Sequence, residues 1–128
     1  MTAKFLDIGD DLTFSKIERR TSAGGAFSAP QLVAGVNSSS ADGFPSISGD
    51  GLTLYLETDR GGRTQIWSAQ RADRSAPFIG AAPVAGVSSS SIDGDPDISA
   101  DGRTLYFATD RAGGKGGLDI WVAVRGCK

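Results

Sequence analysis

The sequence repeats itself. Residues 33–62 read VAGVNSSSADGFPSISGDGLTLYLETDRGG and residues 84–113 read VAGVSSSSIDGDPDISADGRTLYFATDRAG, an offset of 51 with 21 of 30 positions identical. The second copy then carries three extra residues, and the match resumes with Ile66-Trp67 on Ile120-Trp121 and Arg71 on Arg125. Upstream, Phe27-Ser28-Ala29-Pro30 falls on Phe78-Ile79-Gly80-Ala81 at the first offset. A period of this size means one supersecondary unit laid down several times, each unable to bury its apolar surface alone. The chain therefore divides into a partial first unit or N-terminal strands (residues 1–29), a first full repeat (30–80) and a second repeat lacking its outer strand (81–128).

Each unit reads as four short strands. The first covers residues 44–48, or 95–99 in the second copy, and ends at an Asp-Gly turn, Asp50-Gly51 or Asp101-Gly102. Asp-Gly between two extended runs is a hairpin signal, since glycine tolerates positive φ and aspartate bonds back to the backbone. The second strand, residues 53–58 or 104–108, is rich in β-branched and aromatic side chains. After a polar loop comes the third, residues 64–70 or 118–124. The fourth is the proline-bearing stretch ending Val-Ala-Gly-Val, where proline suits an outer edge. Strand candidates also fall at residues 2–8 and 12–20. No stretch holds a 3.6-residue apolar period, so almost no helix is expected.

The alternation predicts how the units pack. In the last third strand Ile120, Val122 and Val124 point one way and Trp121 and Ala123 the other, so both faces are apolar. A sheet with one wet face alternates apolar with polar. Sheets apolar on both faces are sandwiched between others, and four-stranded sheets stacked in series describe propeller blades.

The residues that carry a family resemblance are Asp93, Pro96, Ser99, Asp101-Gly102, Leu105-Tyr106, Asp110-Arg111 and Ile120-Trp121. Their counterparts are Asp42, Pro45, Ser48, Asp50-Gly51, Leu54-Tyr55, Asp59-Arg60 and Ile66-Trp67. In this order and spacing, residues 30–125 resemble the TolB-like β-propeller repeat, a relative of the WD repeat. The copies depart from each other at Phe44 against Asp95 and at Gln65 against Asp119. The resemblance implies an all-β fold of four-stranded blades. It implies membership of a group that includes periplasmic scaffolds, propeller domains of peptidases and bacterial envelope proteins. A periplasmic or envelope location follows from the resemblance alone.

Length then bears on assembly. A ring takes about four to eight blades, whereas 128 residues supply an open arc of two to three. The expected completion is by the chain itself, as a homo-dimer or homo-trimer closing a ring, or by a longer parent chain.

Chemistry is constrained mainly by what is missing. There is no histidine, which removes the usual general base and any Ser-His-Asp arrangement. Thirteen Lys and Arg against fifteen Asp and Glu form no basic stripe, so no nucleic-acid partner is expected. The longest near-apolar run, residues 78–87, is too short and too broken to span a membrane, and residues 1–7 lack the apolar core of a signal peptide. The single cysteine, Cys127, reads as a terminal thiol.

Asp93, Asp95 and Asp97 open like a calcium loop, but Ile98 stands where its glycine belongs and Thr104 where its glutamate belongs. The competing reading makes Asp93 and Asp101 turn caps and has Asp95 and Asp97 flank Pro96 at the entrance to the inner strand; as a site, Asp93, Asp95 and Asp97 are the candidate ligand or channel residues, with calcium the one candidate cofactor. Lys115 in Gly113-Gly114-Lys115-Gly116-Gly117 lacks the following Ser/Thr and helix of a phosphate loop. Trp67, Trp121, Tyr55 and Tyr106 read as core rather than as a sugar platform. Asp59-Arg60 and Asp110-Arg111 read as polar ties at a strand corner, and the serine runs 38–40 and 88–91 as solvated connectors. The expectation is a non-enzymatic binding or scaffold module for a protein or peptide, with no catalytic or cofactor residues. The alternatives are a carbohydrate- or small-ligand-binding oligomeric propeller and a fragment of a hydrolase-associated propeller domain.

Overall fold

The computed structural model describes residues 25–126. The strand expectations at residues 2–8 and 12–20, and Cys127, lie outside them. Two compact units are present. Among the described residues one comprises 25–32 with Asp73–Ala76, the other Val33–Ala72 with 77–126. Within the described part of the first, Asp73 closes a short turn by accepting from Ser75 N–H at 2.8 Å and from its hydroxyl at 2.5 Å.

The second unit holds seven antiparallel strands, with no helix among the described residues. They are β1 (Asp42–Ile47), β2 (Thr53–Thr58), β3 (Gln65–Gln70), β4 (Ile79–Pro83), β5 (Asp93–Ile98), β6 (Thr104–Thr109) and β7 (Asp119–Val124). The first four make one sheet in sequential order and the last three a second. Three details differ from the sequence reading. Strands β1 and β5 begin two residues earlier, at Asp42 and Asp93, because those aspartates pair with Thr58 and Thr109 across the ladder. The fourth strand stops at Pro83, and Val84–Val87 is a turn in which Val87 N–H donates to Val84 O at 3.2 Å. The equivalent N-terminal stretch, residues 26–33, forms no strand.

The register explains why both faces of a strand are apolar. On β2 and β3, Leu54 sits opposite Ala69 and Leu56 opposite Trp67 on one face, while Tyr55 and Glu57 share the other with Ser68 and Ile66. The first face carries a cluster of Val36, Leu54, Ala69 and Phe78. The second packs on the three-stranded sheet, where Tyr55, Ile66, Val87, Ile98, Leu105 and Phe107 form the inter-sheet core. Six side chains of this size, each worth about 1.5–3 kcal/mol when buried, make this the main cohesive layer.

Polar bonds set the sheet spacing. Ile98 N–H donates to Ser46 Oγ at 3.0 Å, Asp95 N–H to Glu57 Oε2 at 3.0 Å, and Gly49 N–H to Ala100 O at 2.9 Å. Gly49 has to be glycine, since a Cβ there would lie 2.4 Å from the Ala100 carbonyl oxygen.

Candidate functional site

Three places carry the polar and apolar groups of interest: the corner between β2 and β3 with its copy between β6 and β7, the edge formed by β1 and β5, and the uncovered surfaces of the second sheet.

At the first corner Asp42 accepts from Ser38 N–H (2.8 Å), the Ser38 hydroxyl (2.9 Å), the Thr58 hydroxyl (2.7 Å) and Arg60 Nη2 (2.8 Å). Arg60 also donates to Val36 O and lies 5.0 Å from the Trp67 ring centroid. The second copy repeats this with Ser89, Asp93, Arg111, Val87 O and Trp121. Asp59 and Asp110 brace the same corners from outside, accepting from Ala41 N–H at 3.0 Å and Ile92 N–H at 2.9 Å.

Burial would raise the Asp42 carboxyl. The bonds from Ser38, Thr58 and Arg60 outweigh it and hold the group well below the usual carboxylate range. Asp93 is lowered in the same way, with burial opposed by Arg111, Ser89 and Thr109. Ser38 and Ser89 are thus not mere connectors. The identical Ser-x-x-x-Asp spacing in both copies was the signal for that role, and the sequence reading passed over it.

Asp93, Asp95 and Asp97 do not act together. Asp93 is fully buried with both carboxylate oxygens engaged. Asp95 and Asp97 are exposed, on either side of Pro96. Among the described residues no three acidic or thiol groups converge as a metal ion requires.

Asp95 and its counterpart Phe44 both take positive φ, 51° and 49°, at a bulge where the register of β5 on β6, and of β1 on β2, shifts. Aspartate tolerates this conformation; an exposed phenylalanine in it is uncommon. Glu57 joins this edge through its bond to Asp95 N–H, and nothing in the repeat pattern marked it, because Ala108 is its counterpart.

The turn and loop groups bond within the chain. Asp50 and Asp101 each take the serine hydroxyl two residues before at 2.6 Å, and the Ser99 hydroxyl with the Arg103 N–H lowers the Asp101 carboxyl. The glycine loop around Lys115 folds onto its own chain: Lys115 and Gly116 N–H groups donate to Asp119 Oδ2 at 2.8 and 3.1 Å. Those donors face a carboxylate rather than a phosphate. Trp67 and Trp121 lie half-buried under Arg60 and Arg111.

The second sheet is open in two ways. Its outer face bears Tyr106, Ile120, Val122 and Val124, all at least half exposed. Beside β7, which has no outer neighbour among the described residues, lies a cleft of about 220 Å³ lined by Val87, Leu105, Ala123, Gly86 and Arg125. No helix among the described residues is long and apolar enough to cross a membrane. No protein-family model matches the sequence, and no curated protein matches it.

Proposed function

We propose that the chain is a non-enzymatic binding or scaffold module made of β-propeller blades of the TolB-like kind. Further blades complete it, from copies of itself or from a longer parent chain, and it presents its β1 and β5 edges to a protein or peptide. The observation that carries this reading is a comparison of the protein with itself. Tyr55 and Ile66 are 3% and 0% exposed because the second sheet covers them, whereas Tyr106 and Ile120, at the same places in the second sheet, are 50% and 74% exposed. A surface built to the same pattern is covered once and bare once. Covering it again recovers about 1.5–3 kcal/mol per large side chain fully buried, which is substantial against a domain's marginal stability.

The partner reading draws on the edge. Asp95, Asp97 and Glu57 give it negative charge and Phe44 an exposed ring, a combination suited to basic and apolar peptide side chains. Light scattering on the purified chain tests completion: a mass above the monomer that Ile120→Asp returns to the monomer is expected, and a wild-type monomer at high concentration overturns self-completion. A peptide library screened against wild type and the Asp95→Asn/Asp97→Asn double variant tests the edge. Unchanged binding by the variant removes those two contacts, and selective binding on a glycan array in place of peptides would favour a carbohydrate ligand.

A further inference from the structure

We infer that residues 27–33 of one chain supply the missing outer strand of the second sheet in another copy, with Phe27 seated in the cleft beside β7. This deepens the self-completion reading by naming the segment, the receiving site and the register.

The first repeat supplies the template. There Phe78 is 4% exposed, packed with Val36, Leu54 and Ala69, and the Arg71 guanidinium lies 4.4 Å from its ring centroid. Its N–H donates to Ala34 O at 3.1 Å, and its carbonyl oxygen presses so close to Gly35 that a Cβ there would lie 1.8 Å away. Gly35 also has φ 91°, so glycine is required twice over. Moved to the second repeat, these neighbours become Val87, Leu105, Ala123, Arg125, Ala85 and Gly86. All six line the 220 Å³ cleft, and a Cβ on Gly86 would meet nothing within 4 Å. The second repeat has therefore built the socket without the aromatic ring that fills it in the first. An apolar cavity of about 150 Å³ is enough to hold a benzene ring.

The ring that fits is in the sequence. Phe27 is the counterpart of Phe78, and its side chain is fully exposed, as is most of Leu32. Residues 28–32 correspond to β4, yet they form no strand. Sheet extension follows the β3–β4 ladder, in which Trp67 faces Pro83, Ser68 faces Ala82 and Gln70 faces Ile79. The same register places Leu32 opposite Trp121, Gln31 opposite Val122 and Ser28 opposite Val124 of the receiving chain. Pro30 then falls at Ala81, within the irregular part of that ladder, where an absent N–H is tolerated. Ala29 falls at Gly80, whose φ is 70°, so the donated strand must relax its bulge there.

Continuity favours a second copy as the occupant. In the first repeat the chain leaves β4 through Val84–Val87 and enters the sheet that covers Tyr55 and Ile66. A donor chain leaving residues 27–33 enters its own first sheet through residues 34–36 and brings that sheet over Tyr106 and Ile120. One joint thus fills the cleft, extends the edge and covers the bare face. Ala100 stands where Gly49 admits the neighbouring turn, so the joint between chains opens slightly at its hairpin end.

The test uses two variants of the full chain. Phe27→Ser keeps the socket and loses the ring; Ala123→Phe keeps the ring and fills the socket. Light scattering should find wild type above the monomer mass, each variant alone monomeric, and an equal mixture a dimer, since only one of the two joints can form. A labelled peptide of residues 25–36 should bind the Phe27→Ser chain saturably, and the same peptide with serine at 27 should not. If Phe27→Ser assembles like wild type, strand donation is wrong while self-completion stands. A monomeric wild type overturns both. Variants that stay monomeric when mixed, or a wild-type peptide that fails to bind at millimolar concentration, overturn strand donation.

Discussion

Replacing Asp93 by asparagine tests the reading of this carboxylate as a structural acceptor. Asp93 is fully buried and takes bonds from Ser89 N–H at 2.8 Å, the Ser89 hydroxyl at 2.9 Å and Arg111 Nη2 at 2.9 Å. Asparagine keeps one acceptor oxygen; in its better orientation that oxygen retains the two Ser89 bonds and the NH₂ group faces Arg111, so the charged bond is lost and its place becomes repulsive. A hydrogen bond to a charged group contributes about 1.5–3 kcal/mol, and breaking a buried ion pair costs about 3–5 kcal/mol. The Arg111 side chain is 23% exposed and can partly rehydrate, which puts the expected loss near the lower bound, about 3 kcal/mol. Urea unfolding at pH 7 and fixed chain concentration, followed by Trp67 and Trp121 fluorescence, reads it directly. Asp95→Asn, two residues away and exposed, should stay within about 0.5 kcal/mol of wild type. A loss below about 1 kcal/mol for Asp93→Asn, or equal losses for the two variants, would refute the structural assignment.

The lowered carboxyls of Asp42 and Asp93 make stability depend on pH. Their unfolded-state value is about 3.9, so the stabilisation is complete above roughly pH 5 and lost as pH falls through 4 toward the folded values; a midpoint in urea that is flat between pH 6 and 3 would contradict this. Gly49→Ala forces a Cβ against the Ala100 carbonyl and should cost about 1–3 kcal/mol in the same urea assay, while Gly116→Ala, with open space around it, should cost far less; equal losses would remove the close approach of the two turns as a cause. Millimolar calcium should leave the melting temperature unmoved, because Asp93 is already engaged by protein donors; a rise of several degrees would show an ion held by Asp95 and Asp97.

The strands were legible because they rest on local signals. Asp50-Gly51 and Asp101-Gly102 are hairpin signals, with glycine φ of 77° and 75°, and the alternation in residues 119–124 gives that strand two apolar faces. Strand ends were less legible. Asp42 and Asp93 look like loop residues, and only their pairing with Thr58 and Thr109 extends β1 and β5 to them. Val84–Val87 looks like a strand from its valines, but Gly86 at φ 82° turns the chain and delivers Val87 to the core. The candidate site was harder still. Asp93-x-Asp95-x-Asp97 reads as three carboxylates on one strand face, since alternation alone aligns positions two apart, but the bulge between Gly94 and Asp97 breaks that alignment and leaves Asp93 in the interior with Asp95 and Asp97 outside.

The differences between the two copies sort into kinds once the sheets are in place. Positions that build the corner, Ser38, Asp42, Thr58 and Arg60, are identical to Ser89, Asp93, Thr109 and Arg111, since each sheet must close its own corner. Ser46, Gly49 and Glu57 differ from Asp97, Ala100 and Ala108, and each of the first three touches the second sheet: Ser46 accepts from Ile98 N–H, Gly49 donates to Ala100 O, and Glu57 accepts from Asp95 N–H. Those residues are fitted to a neighbour whose identity is fixed by the chain. Under the completion proposed above, their counterparts in the second sheet meet a different neighbour, which accounts for the difference. Phe44 against Asp95 belongs to neither kind, as Phe44 is exposed at the bulge and makes no inter-sheet bond. A bulky residue held at φ 49° in solvent gains nothing for the fold that aspartate would not give more cheaply. Phe44→Asp should therefore leave stability unchanged or raise it, and its effect on partner binding separates an edge shaped for recognition from one that merely tolerates the ring.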